Sequence, residues 1–125
     1  MVQPIEEAAK VIPTAGAYSV AVRSGGMIYL SGQIALDPHT GLLVSGGIAA
    51  ETHQILDNIS AVVAACGNCL EDIVKCTIYL TDIHDFVEVN QIYASRFSAP
   101  YPARTTIGVA ALPMNAAIEI EIVIA

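Results

Sequence analysis

The sequence has little charge, few aromatic rings and no tryptophan, and these shortages narrow the class of protein. Of its 125 residues, 14% are charged and 6% are aromatic, whereas 54% are hydrophobic. Soluble globular domains average roughly 45–50% apolar and about 25% charged residues. A composition this apolar excludes an intrinsically disordered chain, which lacks the apolar surface needed to offset the entropy of folding. A chain of this length can form one hydrophobic core but is too short for two, so we expect a single domain over residues 1–125.

Long hydrophobic runs are also missing. A transmembrane helix needs about 18 or more consecutive apolar residues, and single lysines and arginines interrupt every candidate segment. The first ten residues carry Glu6 and Glu7 where a secretory signal would have a basic segment followed by an apolar one. We therefore expect no membrane association and a cytoplasmic location.

Basic residues are scarce. Five lysines and arginines stand against twelve aspartates and glutamates, giving a net charge of −7. The five occur singly along the chain, whereas nucleic-acid binding depends on clustered cations that neutralise phosphates. We expect no nucleic acid among the partners.

Cysteines are too few and too irregular for a disulfide framework. There are three of them, Cys66, Cys69 and Cys76, and an odd number in a chain of this size argues against disulfide staples. The C-x-x-C spacing of Cys66 and Cys69 follows a helical pattern and contains Gly67, whereas a redox pair sits at a helix N-terminus. The three histidines have no zinc-binding pattern. We expect structural cysteines and no metal site.

Alternation and helical spacing predict the order ββαβαβ. The alternation over 18–33, broken by a turn at Ser24-Gly25-Gly26, predicts a hairpin. Apolar residues at 3.6-residue spacing predict helices over 55–66 and 86–97. Further strands are predicted over 73–80, 104–109 and 118–124, and the segment 1–16, which contains Pro4 and Pro13, is predicted to be irregular. In the strand 73–80, the pattern places Val74 on the same face as Cys76, Ile78 and Leu80.

This order predicts an α+β sandwich. Right-handed crossovers place both helices on one face of a mixed sheet. The other face is left without a helix to cover it. A small chain with an apolar excess must hide that surface elsewhere, so we expect subunits to meet at the uncovered sheet face.

The last strand carries two acids on one face. In Ile118-Glu119-Ile120-Glu121-Ile122, the isoleucines share one side and Glu119 and Glu121 share the other. The two acids belong either to a half-solvated edge strand or to a face covered by a neighbouring subunit, where a carboxylate needs a partner or a chemical role.

Arg104 begins the preceding strand. If the strands over 104–109 and 118–124 pair as an antiparallel hairpin, Arg104 approaches Glu119 or Glu121. A guanidinium fork suits a side-chain carboxylate and a small carboxylate ligand equally well, so a structural ion pair and a binding site are both open.

Several motifs together resemble one family. They are Ser31-Gly-Gln-Ile34, Asp85-Phe86 with Val89-Asn90 and Tyr93, Pro102-Ala-Arg104-Thr-Thr-Ile107, Leu112-Pro113 and Ile118-Glu-Ile-Glu121. This combination resembles the YjgF/RidA family of reactive-imine deaminases over roughly residues 15–125. The resemblance implies the chorismate-mutase-like α+β fold and a homotrimer with active sites between subunits.

The resemblance also implies a reaction. Family members hydrolyse 2-aminoacrylate and related imines, such as 2-iminobutanoate and 2-iminopropanoate, to 2-oxo acids and ammonia. By the family pattern Arg104 binds the substrate carboxylate, Glu119 activates the attacking water, and Tyr18 closes the pocket. No metal or organic cofactor is implied, because hydrolysis of an activated C=N bond needs only water, proton transfer and orientation.

Four further residues match positions beside the ligand in that family. Ser31 and Gly32 match the Ser-Gly-Gln loop, Asn90 matches a pocket-side asparagine, and Thr106 stands where the family often has cysteine. If that position acts through its backbone N–H, threonine serves as well as cysteine. Asn90 has a purely structural alternative as a buried amide bonded to backbone. Tyr18 likewise has one, as a packing residue.

Two other functions stay open. The same trimer could bind 2-oxo acids in a regulatory role without catalysis. The ribonuclease activity sometimes attached to the family is disfavoured by the net charge of −7 and the scattered basic residues.

Overall fold

A computed structural model describes residues 2–125 as a six-stranded mixed sheet with helices. The strands are β1 (Gln3–Pro4), β2 (Ala21–Ser24), β3 (Met27–Leu30), β4 (Ile73–Leu80), β5 (Ala103–Gly108) and β6 (Ile118–Ile124). The helices are α1 (Glu6–Ala9), α2 (Gly47–Ala65) and α3 (Phe86–Arg96), with short 3₁₀ turns at Leu70–Asp72, Ile83–Asp85 and Pro113–Asn115. The strand order is β1-β2-β3-β6-β4-β5. Only β4 and β5 run parallel, so the predicted mixed α+β sheet is confirmed.

Both predicted helices form, and their ends have local causes. Gly67 has a φ of +82° after the last turn of α2, the left-handed conformation that glycine adopts without steric cost. Ahead of α3, the Asp82 carboxylate accepts a hydrogen bond from the backbone N–H of His84 and so starts the turn that leads into the helix. α3 ends before Pro100, which cannot continue a helix.

The core lies between the sheet and the two long helices. The isoleucines at 118, 120, 122 and 124 of β6 are all at most 2% exposed, and α2 and α3 contact each other above them. Burying each such side chain contributes about 1.5–3 kcal/mol. The prediction for Val74 was wrong: a register irregularity between Ile73 and Lys75 turns Ile73 into the core and leaves Val74 41% exposed.

The last two strands do not pair as the antiparallel hairpin that the sequence left possible. β6 lies between β3 and β4, while β5 pairs on the far side of β4 and occupies the sheet edge. The physical reason is composition. The isoleucine-rich β6 gains most from a central position, whereas β5, with Arg104, Thr105, Thr106 and Gly108, suits an edge.

The first residues are more regular than predicted. Gln3 and Pro4 pair with β2, and the short α1 follows directly. Ala8 and Ile12 are 0% and 4% exposed, so this segment contributes to the core instead of forming a loose arm.

The sheet face opposite the helices is uncovered over the part of the chain that the structure describes. Tyr29 and Ile107 lie on it and are 44% and 42% exposed. Lys75, Thr105 and Tyr79 share this face, and the Lys75 ammonium donates a hydrogen bond of 2.7 Å to the Thr105 hydroxyl. No helix within residues 2–125 has the length and apolar character to cross a membrane.

Candidate active site

Glu119 lines a cavity of about 340 Å³ together with Tyr18 and Gly32. Tyr18 does not lie in a strand, as the alternation suggested, but in a bend that precedes β2, and it is 53% exposed. Pro113 and Met114 also line this cavity. We call this the Glu119 cavity; it unites three of the residues predicted for the site.

The Glu119 carboxylate packs directly on the backbone of Gly32. A Cβ atom added at Gly32 would lie 2.4 Å from Glu119 Oε2 and 2.8 Å from its Cδ. The loop is held against β6 by two backbone hydrogen bonds between Gln33 and Ile120, of 2.8 and 3.0 Å. Only glycine therefore leaves room for the carboxylate in this position.

Ser31 supports this cavity from behind. Its hydroxyl donates a 2.7 Å hydrogen bond to the carbonyl of Ser19, and its backbone N–H donates to the carbonyl of Val20 at 2.9 Å. These bonds fix the segment that carries Tyr18. The structure thus gives the Ser31 side chain a partner within the protein.

Burial and a neighbouring acid perturb Glu119. Partial burial raises the pKa of the Glu119 carboxyl, and the like charge of Glu121 raises it further. The Tyr79 hydroxyl donates a hydrogen bond to Glu121, and that bond is the main cause of the raised pKa of Tyr79. A carboxylate whose proton affinity is raised is a stronger base, which suits it to take a proton from water.

Arg104 lines a second cavity, of about 390 Å³, with Asn90 and Tyr93. We call it the Arg104 cavity; Ala94, Tyr101 and Pro102 complete its wall. The central carbon of the guanidinium lies 4.7 Å from the centre of the Tyr93 ring. It lies 5.3 Å from the centre of the Phe86 ring.

Arg104 makes no ion pair with any carboxylate of residues 2–125. The ion pairs of that region join Lys10 to Glu7, His84 to Asp82 and Arg96 to Asp57. The structural ion pair that the sequence left open is therefore absent from the described part of the chain, and Arg104 lines a cavity instead.

Asn90 and Thr106 lie on the same side as Arg104. Asn90 lines the Arg104 cavity and is partly exposed. The Thr106 hydroxyl is buried without a partner among the described residues. Because the Val109 N–H bonds to the carbonyl of Leu80 on β4, the alternation of a parallel ladder turns the Thr106 N–H outward, to the open sheet edge.

The two cavities lie on opposite faces of the sheet. Arg104 pairs with Cys76 of β4, whereas Glu119 pairs with Tyr79 of the same strand. Those two β4 positions are three residues apart, and side chains of a strand alternate between faces. The approach of Arg104 to Glu119 within one chain was conditional on an antiparallel hairpin, and that hairpin does not form.

Several lining residues were not predicted for the site. Tyr93 was assigned to the core by its helical spacing, yet its ring also lies against Arg104. Its spacing of one turn from Asn90 on α3 is a signal that could have identified it. Met114, which lines the Glu119 cavity, has a φ of +57°, and no sequence pattern indicated that conformation.

The cysteines lie outside both cavities. Burial is the main cause of the raised pKa of Cys66, while hydrogen bonding to Glu71 is the main cause of the raised pKa of Cys69. Both shifts disfavour the thiolate needed for redox chemistry. The described residues contain no group of three or more histidine, cysteine or acidic side chains arranged to hold a metal ion.

Comparisons with known proteins identify relatives of this chain and of its fold. The family model described as Endoribonuclease L-PSP matches residues 8–125. The 2-iminobutanoate/2-iminopropanoate deaminase of Homo sapiens is 44% identical over 98% of this chain and 90% of its own length. The crystal structure of the Rid protein YyfA from Yersinia pestis is 42% identical, with a TM-score of 0.93 over 100% of this chain and 99% of its own. The crystal structure of E. coli TdcF with bound serine is 34% identical, with a TM-score of 0.90 over 98% of both chains.

Proposed function

The chain belongs to the Endoribonuclease L-PSP family, which includes the YjgF/RidA deaminases, and from this premise we propose that it is a 2-iminobutanoate/2-iminopropanoate deaminase. Its substrates are small imines and enamines that carry a carboxylate, such as 2-aminoacrylate. Its products are 2-oxo acids and ammonia.

One observation carries the proposal. The Arg104 guanidinium has no acidic partner among residues 2–125 and lines a cavity large enough for a small organic acid. A partly buried guanidinium without an acidic protein partner is suited to bind an anionic ligand, and its planar shape binds a carboxylate through two parallel hydrogen bonds.

The proposed assembly is a homotrimer with its active sites between subunits. A single chain holds Arg104 and Glu119 on opposite faces of its sheet, so neither can complete the site of the other. The uncovered sheet face offers the surface at which a neighbour would bind. In the trimer, Arg104 of one subunit faces the partner subunit's Glu119 across a cleft.

The mechanism follows from these positions. Arg104 binds the substrate carboxylate, assisted by the outward N–H of Thr106 and the side chain of Asn90. Glu119 takes a proton from water as the water oxygen bonds to the imine carbon, and it passes that proton to the imine nitrogen, which gives a neutral carbinolamine. Glu119 then takes the carbinolamine hydroxyl proton as the C=O bond forms and gives it to the nitrogen as the C–N bond breaks, so that ammonia leaves the 2-oxo acid. Tyr18 closes the cleft, while Gly32 leaves the space that the Glu119 carboxylate occupies.

A ribonuclease function, which the description of the family model suggests, is disfavoured by charge. Twelve acidic residues outnumber five basic ones, and Arg104 is the only cation that lines its cavity among the described residues, whereas RNA binding depends on several cations that neutralise successive phosphates.

The test generates imines with an amino-acid oxidase and follows 2-oxo acid formation with and without the protein. We expect acceleration by the wild type and at least about a tenfold loss of kcat/KM in Arg104→Ala. Arg104→Lys should not restore the activity, because an ammonium has the charge but not the planar fork. Saturable binding of 2-oxobutanoate without acceleration would instead indicate the regulatory, non-catalytic trimer.

Two finer points of the proposal have their own checks. Light scattering should give a mass of about three times 13.1 kDa. A stable monomer at micromolar concentration would contradict the shared site. The cytoplasmic location expected from the sequence is tested by cell fractionation.

A further inference from the structure

Something other than an acid holds Arg104 in place. Among residues 2–125, its guanidinium takes part in no ion pair, and it lies against the faces of two aromatic rings. These rings belong to Phe86 and Tyr93, which are seven residues apart on α3 and therefore share one helix face, two turns from each other. We refer to them as the aromatic pair.

The ring of Tyr93 is itself fixed. The residue is 4% exposed, and its ring stacks on that of Phe97 with centroids 4.3 Å apart and an interplanar angle of 21°. The Tyr93 hydroxyl is buried beside the Cys76 thiol and has no oxygen or nitrogen partner among the described residues. The ring is the part of this side chain that lies against the Arg104 guanidinium.

Aromatic faces and carboxylates hold an arginine in different ways. A carboxylate bonds to the N–H groups at the edge of the guanidinium and so occupies the donors that a ligand would need. An aromatic face attracts the cation through its ring quadrupole and requires none of those N–H groups. An arginine held by rings thus keeps its charge and its in-plane donors available.

We infer that Phe86 and Tyr93 are positioning residues that hold the Arg104 guanidinium for two-point binding of the substrate carboxylate. This inference rests on the proposed function, since it assigns the aromatic pair a role in the carboxylate binding proposed there. The aromatic pair acts through Arg104 and has no contact with the reacting atoms.

The experiment measures the affinity of the trimer for 2-oxobutanoate by calorimetry in matched variants. Tyr93→Phe keeps the aromatic face against Arg104, so it should lose clearly less affinity than a variant that removes the ring. Tyr93→Leu removes the aromatic face and should weaken binding about 5- to 30-fold, the change that corresponds to the usual strength of a partly buried cation–π contact. In an Arg104→Ala background, Tyr93→Leu should cause no additional loss.

The Arg104→Ala background separates positioning from packing. A Tyr93→Leu variant with wild-type affinity, beside a weakened Arg104→Ala, would overturn the inference while leaving the proposed function intact. An equal loss from Tyr93→Leu in both backgrounds would also overturn it, because the tyrosine would then act by packing alone. Undiminished affinity in Arg104→Ala would overturn the proposed function and this inference together.

A second substitution provides the same test if the Tyr93→Leu variant does not fold. Because Tyr93 is buried, light scattering and melting temperature are measured for each variant. If Tyr93→Leu fails to assemble, Phe86→Leu, at a partly exposed position, supplies the same comparison in both backgrounds.

Discussion

The opposite placement of Arg104 and Glu119 predicts that two inactive variants will restore each other. Arg104→Ala lacks the carboxylate-binding group and Glu119→Gln lacks the base. If each active site combines Arg104 of one subunit with the partner subunit's Glu119, a mixed trimer contains some clefts in which both groups are intact.

The expected recovery follows from random assembly. In an equal mixture, about half of the subunits carry an intact Arg104 and the other half an intact Glu119, so about one quarter of the clefts contain both. Arg104→Ala alone should retain at most about a tenth of wild-type kcat/KM, and Glu119→Gln at most about a hundredth. The mixture should therefore reach about 25% of wild-type activity, several times the average of its components.

The assay mixes the two variants under denaturing conditions, refolds them and measures imine hydrolysis. Native mass spectrometry, with one variant carrying a mass label, establishes that mixed trimers have formed. A mixture of separately refolded variants is the control and should show only the average of its components. Mixed trimers that stay at that average would refute the shared site, because a site built within one chain always contains one of the two lesions.

Three further predictions concern individual residues. Gly32→Ala should lower turnover about 10- to 100-fold without dissociating the protein, because the added Cβ would displace the Glu119 carboxylate. Gly26→Ala is the matched control for the activity assay, because a Cβ at that position meets nothing within 4 Å. Glu119→Gln should abolish most turnover and, as pH rises above the usual glutamate range, become more stable relative to wild type, because the raised pKa of Glu119 means that the fold favours the protonated acid. Melting temperatures of both proteins at pH 4 and pH 8 check this, and the same difference in melting temperature at both pH values would contradict it. Glu51 is 7% exposed and accepts a 3.0 Å hydrogen bond from the Ala117 N–H. Glu51→Ala should therefore lower the free energy of unfolding, measured with denaturant, by about 1–3 kcal/mol, whereas Glu51→Gln, which keeps an acceptor, should lower it much less. Equal losses in the two variants would show that the hydrogen bond is unimportant.

Local periodicity was sufficient for most of the elements. The spacing of apolar residues indicated α2 and α3, and Gly67 marked the end of α2, because both signals depend on neighbours within a few positions of the chain. The position of Val74 was predicted wrongly, because the irregularity beside it arises from the pairing of β4 with a strand about 45 residues away. The spacing of apolar residues within one strand does not indicate which distant strand will pair with it.

The features of the candidate site also fall into those that the sequence shows and those that only the structure shows. The motif around Arg104 and the alternation of Glu119 and Glu121 are visible in the sequence, as is the resemblance that suggested their chemistry. The proximity of Gly32 to the Glu119 carboxylate is not visible in the sequence, because it depends on hydrogen bonds between a loop and β6, which are more than eighty residues apart in the chain.

The sequence alone determined the elements, the apolar faces and the identity of the chemical groups, since these follow from residue types and short-range spacing. Only the tertiary structure decided which strand separates Arg104 from Glu119. With β4 inserted between β5 and β6, and with side chains alternating across each strand, the cation faces the helices and the acid faces the uncovered side of the sheet. Strand order is a long-range choice, set by which strand gains most from a central, doubly paired position, and it is this choice that makes each proposed catalytic site the joint property of two subunits.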